Sequence, residues 1–202
     1  MGLFSTFNND ALSNVSLYKG LIPAQYGDAT SAVLSIDTRP GSMNSYHYGG
    51  SVGLLAAKCF VEGPIIKDKA SFLVTARRSY LDLFLLASKD YKDCALNFYD
   101  VNAKVDWRLS TVDRLNIAFF NGRDKLGIGN ISDVNWHNTS ATARWLHYFS
   151  SSLSSNATLY FSDFTNYMNN DITGMKYEQN GYIEHAGLNY TLQWTALNNL
   201  RW

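Results

Sequence analysis

Residues 100–110 read DVNAKVDWRLS, and their alternation is the strongest single signal in the chain. Val101, Ala103, Val105, Trp107 and Leu109 fall on one face of an extended chain, while Asn102, Lys104, Asp106 and Arg108 fall on the other. A short link at residues 110–113 (STVD) follows, and period two resumes in RLNIAFF with Leu115, Ile117 and Phe119 on one side. That combination is a β-hairpin. Working outward, SNATLYFSDF aligns Ala157, Leu159 and Phe161, and EHAGLNYTLQW aligns Ala186, Leu188, Tyr190, Leu192 and Trp194. Each of these segments reads as a strand of about ten residues. In TARWLHYF the large side chains Trp145, Leu146, Tyr148 and Phe149 occupy both faces, so its pattern is less sharp.

Composition agrees with an all-β class. The 202 residues include 13 Tyr, 11 Phe and 14 Gly against three Pro, which favours strands and turns. Seventeen basic and 17 acidic residues cancel, so the chain lacks the basic excess of a nucleic-acid-binding protein. No apolar run reaches the roughly 18 residues of a spanning helix, the nearest being YLDLFLLA at residues 80–87. A short helix near residues 79–87 is the one helical expectation. The N-terminus, MGLFSTFNND, has neither the basic start nor the apolar core of a secretory signal.

The links between segments alternate in length. Short ones lie at residues 67–70, 110–113, 150–153 and 195–199, and long ones around 80–96, 122–135 and 166–181. Strands of this kind with short turns at one end and long loops at the other are the pattern of an outer-membrane barrel. Phe72, Trp107, Phe149 and Trp194 stand beside the short turns, where an aromatic girdle would lie, although aromatics also end ordinary half-buried strands. The charged face suits a wide watery or plugged lumen, and a soluble β-sandwich with one wet face would alternate in the same way.

The N-terminal part differs. Residues 14–39, NVSLYKGLIPAQYGDATSAVLSIDTR, join two short apolar runs through a Gly-rich bend. Val15 and Leu17 form one strand, Lys19 and Gly20 a turn, Tyr26 and Gly27 a small-residue bend, and Val33, Leu34, Ile36, Thr38 and Arg39 the closing strand. This order, followed by VEGPIIKDKASFLVTARRSYLDLF at residues 61–84, resembles the TonB-dependent outer-membrane receptors, in which the end of a plug domain precedes the first barrel hairpin. The resemblance covers nearly the whole chain. It implies residues 1–41 as the end of a plug and 42–202 as an antiparallel meander of about seven barrel strands, with the start of an eighth at NLRW. Members have roughly 22 strands around a plugged lumen, so the chain looks like a fragment that leaves an open sheet. By the same resemblance the partners are outer-membrane lipid, a TonB-type inner-membrane energy-coupling protein and a scarce nutrient such as a siderophore or an oligosaccharide. The location is then the outer membrane of a Gram-negative bacterium.

Site expectations follow from the alternation. Lys58, Glu62, Arg77, Lys104, Asp106 and Arg108 are expected on the lumen side, and Val61, Val74, Val105, Leu159 and Leu188 toward lipid. Arg39, at the end of the plug-like strand, is expected to reach Glu62 as a latch between plug and wall. No catalytic, cofactor or metal constellation stands out: His47, His137, His147 and His185 are scattered, and Cys59 and Cys94 form no framework. GRDKLGIGN at residues 122–130 lacks the flanking strand and helix of a phosphate cradle and reads as an exposed loop. Three function classes remain: the energy-coupled receptor, a passive or structural outer-membrane barrel, and a soluble sandwich that binds carbohydrate through Tyr and Trp.

Overall fold

A computed structural model describes residues 8–23, 31–86, 94–129, 131–172, 175–197 and 200–201. It is all-β and antiparallel. A one-turn 3-10 segment (Asn9–Ala11) leads into β1 (Leu12–Lys19) and β2 (Ala32–Thr38), which pair only with each other. The second sheet holds β3 (His47–Val52), β4 (Ala56–Ile66), β5 (Ala70–Ser79), β6 (Cys94–Arg108), β7 (Asp113–Ile128), β8 (Ser132–Tyr148), β9 (Leu153–Ile172), β10 (Met175–Leu197) and β11 (Leu200–Arg201). Its spatial order is the sequence order, a nine-stranded meander that is open, with β3 and β11 at its edges. The one α-helix among the described residues, α1 (Leu81–Leu86), is braced by an i,i+4 pair from Arg78 to Asp82 at 3.3 Å. Ala87, Tyr26, Gly27 and Asn199 lie outside the described residues.

Cross-strand register fixes two faces. On one, the row Val61, Val74, Ala103, Phe119, Ala141, Phe161 and Ala186 runs unbroken from β4 to β10. Beside it run Phe72, Val105, Ile117, Ala143, Leu159 and Leu188. The other face carries Lys58, Arg77 and Asp100 in one row and Glu62, Leu73, Lys104, Ala118 and Thr142 in another. Every charge expected on the lumen side shares this second face.

Three readings of the sequence need correction. The expected seven strands and the start of an eighth are β4 to β10 and β11, and the sheet holds one more, β3, which is HYGGSV, whose paired glycines give no alternation to read. Strands β6 to β10 run 15 to 23 residues rather than about ten. The supposed long links at 122–135 and 166–181 are therefore mostly strand, paired Gly122 to Asn138, Ile128 to Ser132, Asn166 to Gly181 and Met175 to Ile172. Residues 122–128 likewise belong to β7, not to a loop. Beyond the apolar rows that face turns polar and apolar side chains such as Leu126, Val134 and Met168 fall on the other one, so the period that marks the central strands does not continue into these extensions.

Two of the short turns are made by serine. Ser110 Oγ accepts from the backbone N–H of Val112 (3.1 Å) and Asp113 (3.0 Å), and Ser150 Oγ accepts from Ser152 (3.3 Å) and Leu153 (3.1 Å). A hydroxyl that binds the chain two and three residues on closes the loop locally. At residues 67–69 the turn residue Asp68 takes a positive φ of 60°, and its N–H donates to Met43 O at 3.1 Å.

Candidate functional site

Among the described residues most of the fully buried side chains lie on the polar face, beneath the N-terminal unit. Ser71, Thr75 and Ser79 of β5 are fully buried and Leu73 is 2% exposed, together with Asn8 and Ala11 from the start of the unit. Alternation gives β5 small hydroxyls on this side, so another backbone can lie close against it. Gly41 marks the closest approach: a Cβ there would stand 2.1 Å from Phe72 O. Only glycine fits so near a carbonyl. At the far end of β1, Gly20 takes φ +81°, the left-handed geometry that turns the chain away from its strand.

Around this contact the unit is tied by charge and hydrogen bonds. Arg39 Nη1 pairs with Glu62 Oε2, while Arg39 Nε donates to Asp10 O at 2.6 Å and the guanidinium lies over the Phe60 ring at 5.5 Å. Lys58 Nζ reaches Asp10 Oδ1 at 2.8 Å. Lys104 Nζ donates to Thr38 O at 2.6 Å and stands 3.7 Å from Asp106 Oδ1. Three wall residues, on β4 and β6, therefore hold the open end of the β1–β2 hairpin, where Asp10 precedes β1 and Thr38 and Arg39 close β2.

The expected charges divide into two groups. Glu62, Lys58 and Lys104 meet the β1–β2 unit. Arg77 instead pairs within the sheet, Nε to Asp100 Oδ2 at 2.5 Å, with its guanidinium 5.0 Å from the Phe98 ring. Asp106 accepts from Asn116 Nδ2. Arg108 is exposed at the short-turn end and belongs to no ion pair among the described residues. Sequence reasoning did not find Asp10 or the carbonyl of Thr38, because each lies 48 to 66 residues from its wall partner.

Between β2 and the wall a cleft of about 300 Å³ remains, lined by Asp37 and Thr38 from the unit and by Asn102, Lys104, Asn116 and Arg144 from the sheet. Its walls carry donors and acceptors beside the apolar side chains of Ile36 and Phe120. Among the described residues no three His, Cys, Asp or Glu side chains gather as a metal site. No described helix is long and apolar enough to cross a membrane, which leaves crossing by strands open. Comparison with protein-family models, curated proteins and solved structures gives no match.

Proposed function

We propose that the nine-stranded sheet is part of the wall of an outer-membrane β-barrel, that the β1–β2 unit is the end of a plug lying on its lumen side, and that the protein is an energy-coupled receptor for a scarce polar nutrient. One observation carries this reading: the sheet is inside out. Over β4 to β6 its polar face is covered by the N-terminal unit, while its apolar face is bare, with Leu159 at 59% and Leu188 at 64% exposure. A water-soluble protein buries the opposite face, because apolar area is stabilised by leaving water at about 25 cal/mol per Å². Lipid removes the contradiction.

The dimensions agree. From Ala186 to Trp194 the apolar side of β10 covers about 27 Å of strand, or about 21 Å of height at a 40° tilt, against the ~25 Å apolar band of such barrels. Lipid cannot satisfy the free backbone groups of β3, so that edge needs a partner strand within the membrane. The attachment of the β1–β2 unit supports its assignment as a plug. Ion pairs and hydroxyl-rich surfaces can separate into water without exposing an apolar core, as a movable element requires. A soluble carbohydrate-binding sandwich would need a second sheet over Val105, Leu159 and Leu188, and among the described residues none lies there.

The test is partitioning. Refolded with phosphatidylcholine vesicles, the chain should float with lipid, keep a β-type circular dichroism spectrum and resist alkaline extraction. A folded β-protein that stays in the aqueous fraction would refute the membrane reading.

A further inference from the structure

The apolar face ends abruptly on the side of the long hairpins. Val101, Asn121, Thr139 and Asp163 share one register row, and the next row outward holds Arg78, Tyr99, Arg123, His137 and Thr165. On this same face Tyr99, Arg123, Asn135, His137, Thr165 and Tyr167 line a depression of about 350 Å³. Arg123 Nε donates to Asn135 Oδ1 at 2.9 Å, which orients the guanidinium, and no carboxylate pairs with it among the described residues. Of the nearby acids, Asp133 faces Lys125 at 3.4 Å and Asp82 faces Arg78, while Asp163 and Glu184 stand paired with each other across the ladder one row inward. His137 is fixed by Asn121 Nδ2, 2.9 Å from its Nε2.

We propose that this depression binds the phosphate of an anionic membrane lipid in the leaflet on the long-hairpin side. An arginine fork, an imidazole and two tyrosine hydroxyls are donors matched to a phosphate's oxygens. The apolar rows that begin two register rows below, at Ala103, Phe119, Ala141 and Phe161, fit the acyl chains of the same molecule, which is why a lipid suits the place better than a free anion. At the opposite end the apolar face closes on Asp113 and His147, paired at 2.7 Å, so the face offers no such cationic set there. Anion recognition is thus confined to one leaflet.

This inference rests on the barrel reading, and the experiment separates the two. The chain is first folded in phosphatidylcholine vesicles, then transferred to maltoside micelles containing equal amounts of phosphatidylglycerol and phosphatidylcholine, and its bound lipid is counted by native mass spectrometry. The wild type should retain phosphatidylglycerol about tenfold over phosphatidylcholine, as expected for loss or gain of a charge-assisted hydrogen-bond set. Arg123→Gln with His137→Gln should erase the preference. Arg123→Gln alone should weaken it, and Arg114→Gln, which removes the same charge near the short turns, should leave it intact. A chain that folds as β and enters vesicles but shows no preference overturns the lipid site alone. Equal loss with Arg114→Gln, or complete displacement of the lipid by inorganic phosphate at matched concentration, would also overturn it. Failure to enter vesicles removes the barrel reading and this site together.

Discussion

The two faces of one sheet, made by the same strands, differ in what they require of their surroundings. On β5, Ser71, Leu73 and Thr75 are buried beneath a neighbouring piece of the same chain, whereas on β9 and β10 Leu159 and Leu188 stand bare. On the polar face individual charges meet specific partners at fixed positions, such as Asp10 for Lys58 and Thr38 O for Lys104. The apolar face asks only for a medium. Substitutions on the first should therefore act locally, through geometry and pairing, and on the second through solvation.

Reversing the character of a central apolar position is the most severe way to break this contrast. Val105→Arg, in the row with Ile117, Ala143 and Leu159, should lose membrane assembly, because a cation at mid-bilayer costs about 2–4 kcal/mol. Its sequence neighbour Lys104→Gln should assemble normally. Flotation of both variants with vesicles is the measurement, and the opposite ranking would mean that the faces are exchanged.

Next in size is the close approach of the N-terminal unit. Gly41→Ala drives a methyl toward Phe72 O, and overpacking of this kind costs about 1–3 kcal/mol. Hydrogen exchange should show β1 and β2 losing protection while β6 to β9 keep theirs. Uniform loss throughout the sheet would contradict the local character of this face.

A comparable or smaller effect is expected at the latch. Arg39→Ala and Glu62→Gln should each loosen the β1–β2 unit by about 1–3 kcal/mol, since each leaves a half-buried charge or acceptor unpaired. In a double-mutant cycle read by protease nicking near Pro40, the two effects should be markedly less than additive. Simple additivity would show that the pair is uncoupled.

The weakest lever lies at a short turn, outside the apolar span. His147 Nδ1, 2.7 Å away, together with donation from Ser110 Oγ and Trp145 Nε1, holds the Asp113 carboxyl below its ordinary value. A carboxylate depressed in the folded state stabilises above its unfolded pKa and loses that contribution as pH falls through the folded one. The thermal midpoint of the wild type should therefore fall more steeply below about pH 4 than that of Asp113→Asn. Identical slopes would remove this turn from the pH response.

Much of the architecture was legible because period two survives wherever one face meets an apolar medium: Val101 to Trp107 and Ala186 to Trp194 are unmistakable. It failed above that zone. In residues 164–172 and 175–183 polar side chains take over the face that is apolar lower down, and the ladder that holds these segments is backbone pairing, which leaves no mark on side-chain pattern. The serine turns were readable from their residues, and β3 was hidden by its glycines. In the candidate site the facing charges could be assigned strand by strand, and Arg39 and Glu62 could be named together. The partners of Lys58 and Lys104 could not, because they depend on how a separate two-stranded unit lies against the wall.

The meander itself has a kinetic consequence. Each wall strand pairs with its neighbour in sequence, so hairpins can zip on one after another with short loops to close. The tether from Lys104 to Thr38 spans 66 residues and must wait for β6. In a time-resolved refolding experiment, β4 to β6 should acquire protection before β1 and β2 are held against them, making the N-terminal segment, although first in the chain, among the last to settle.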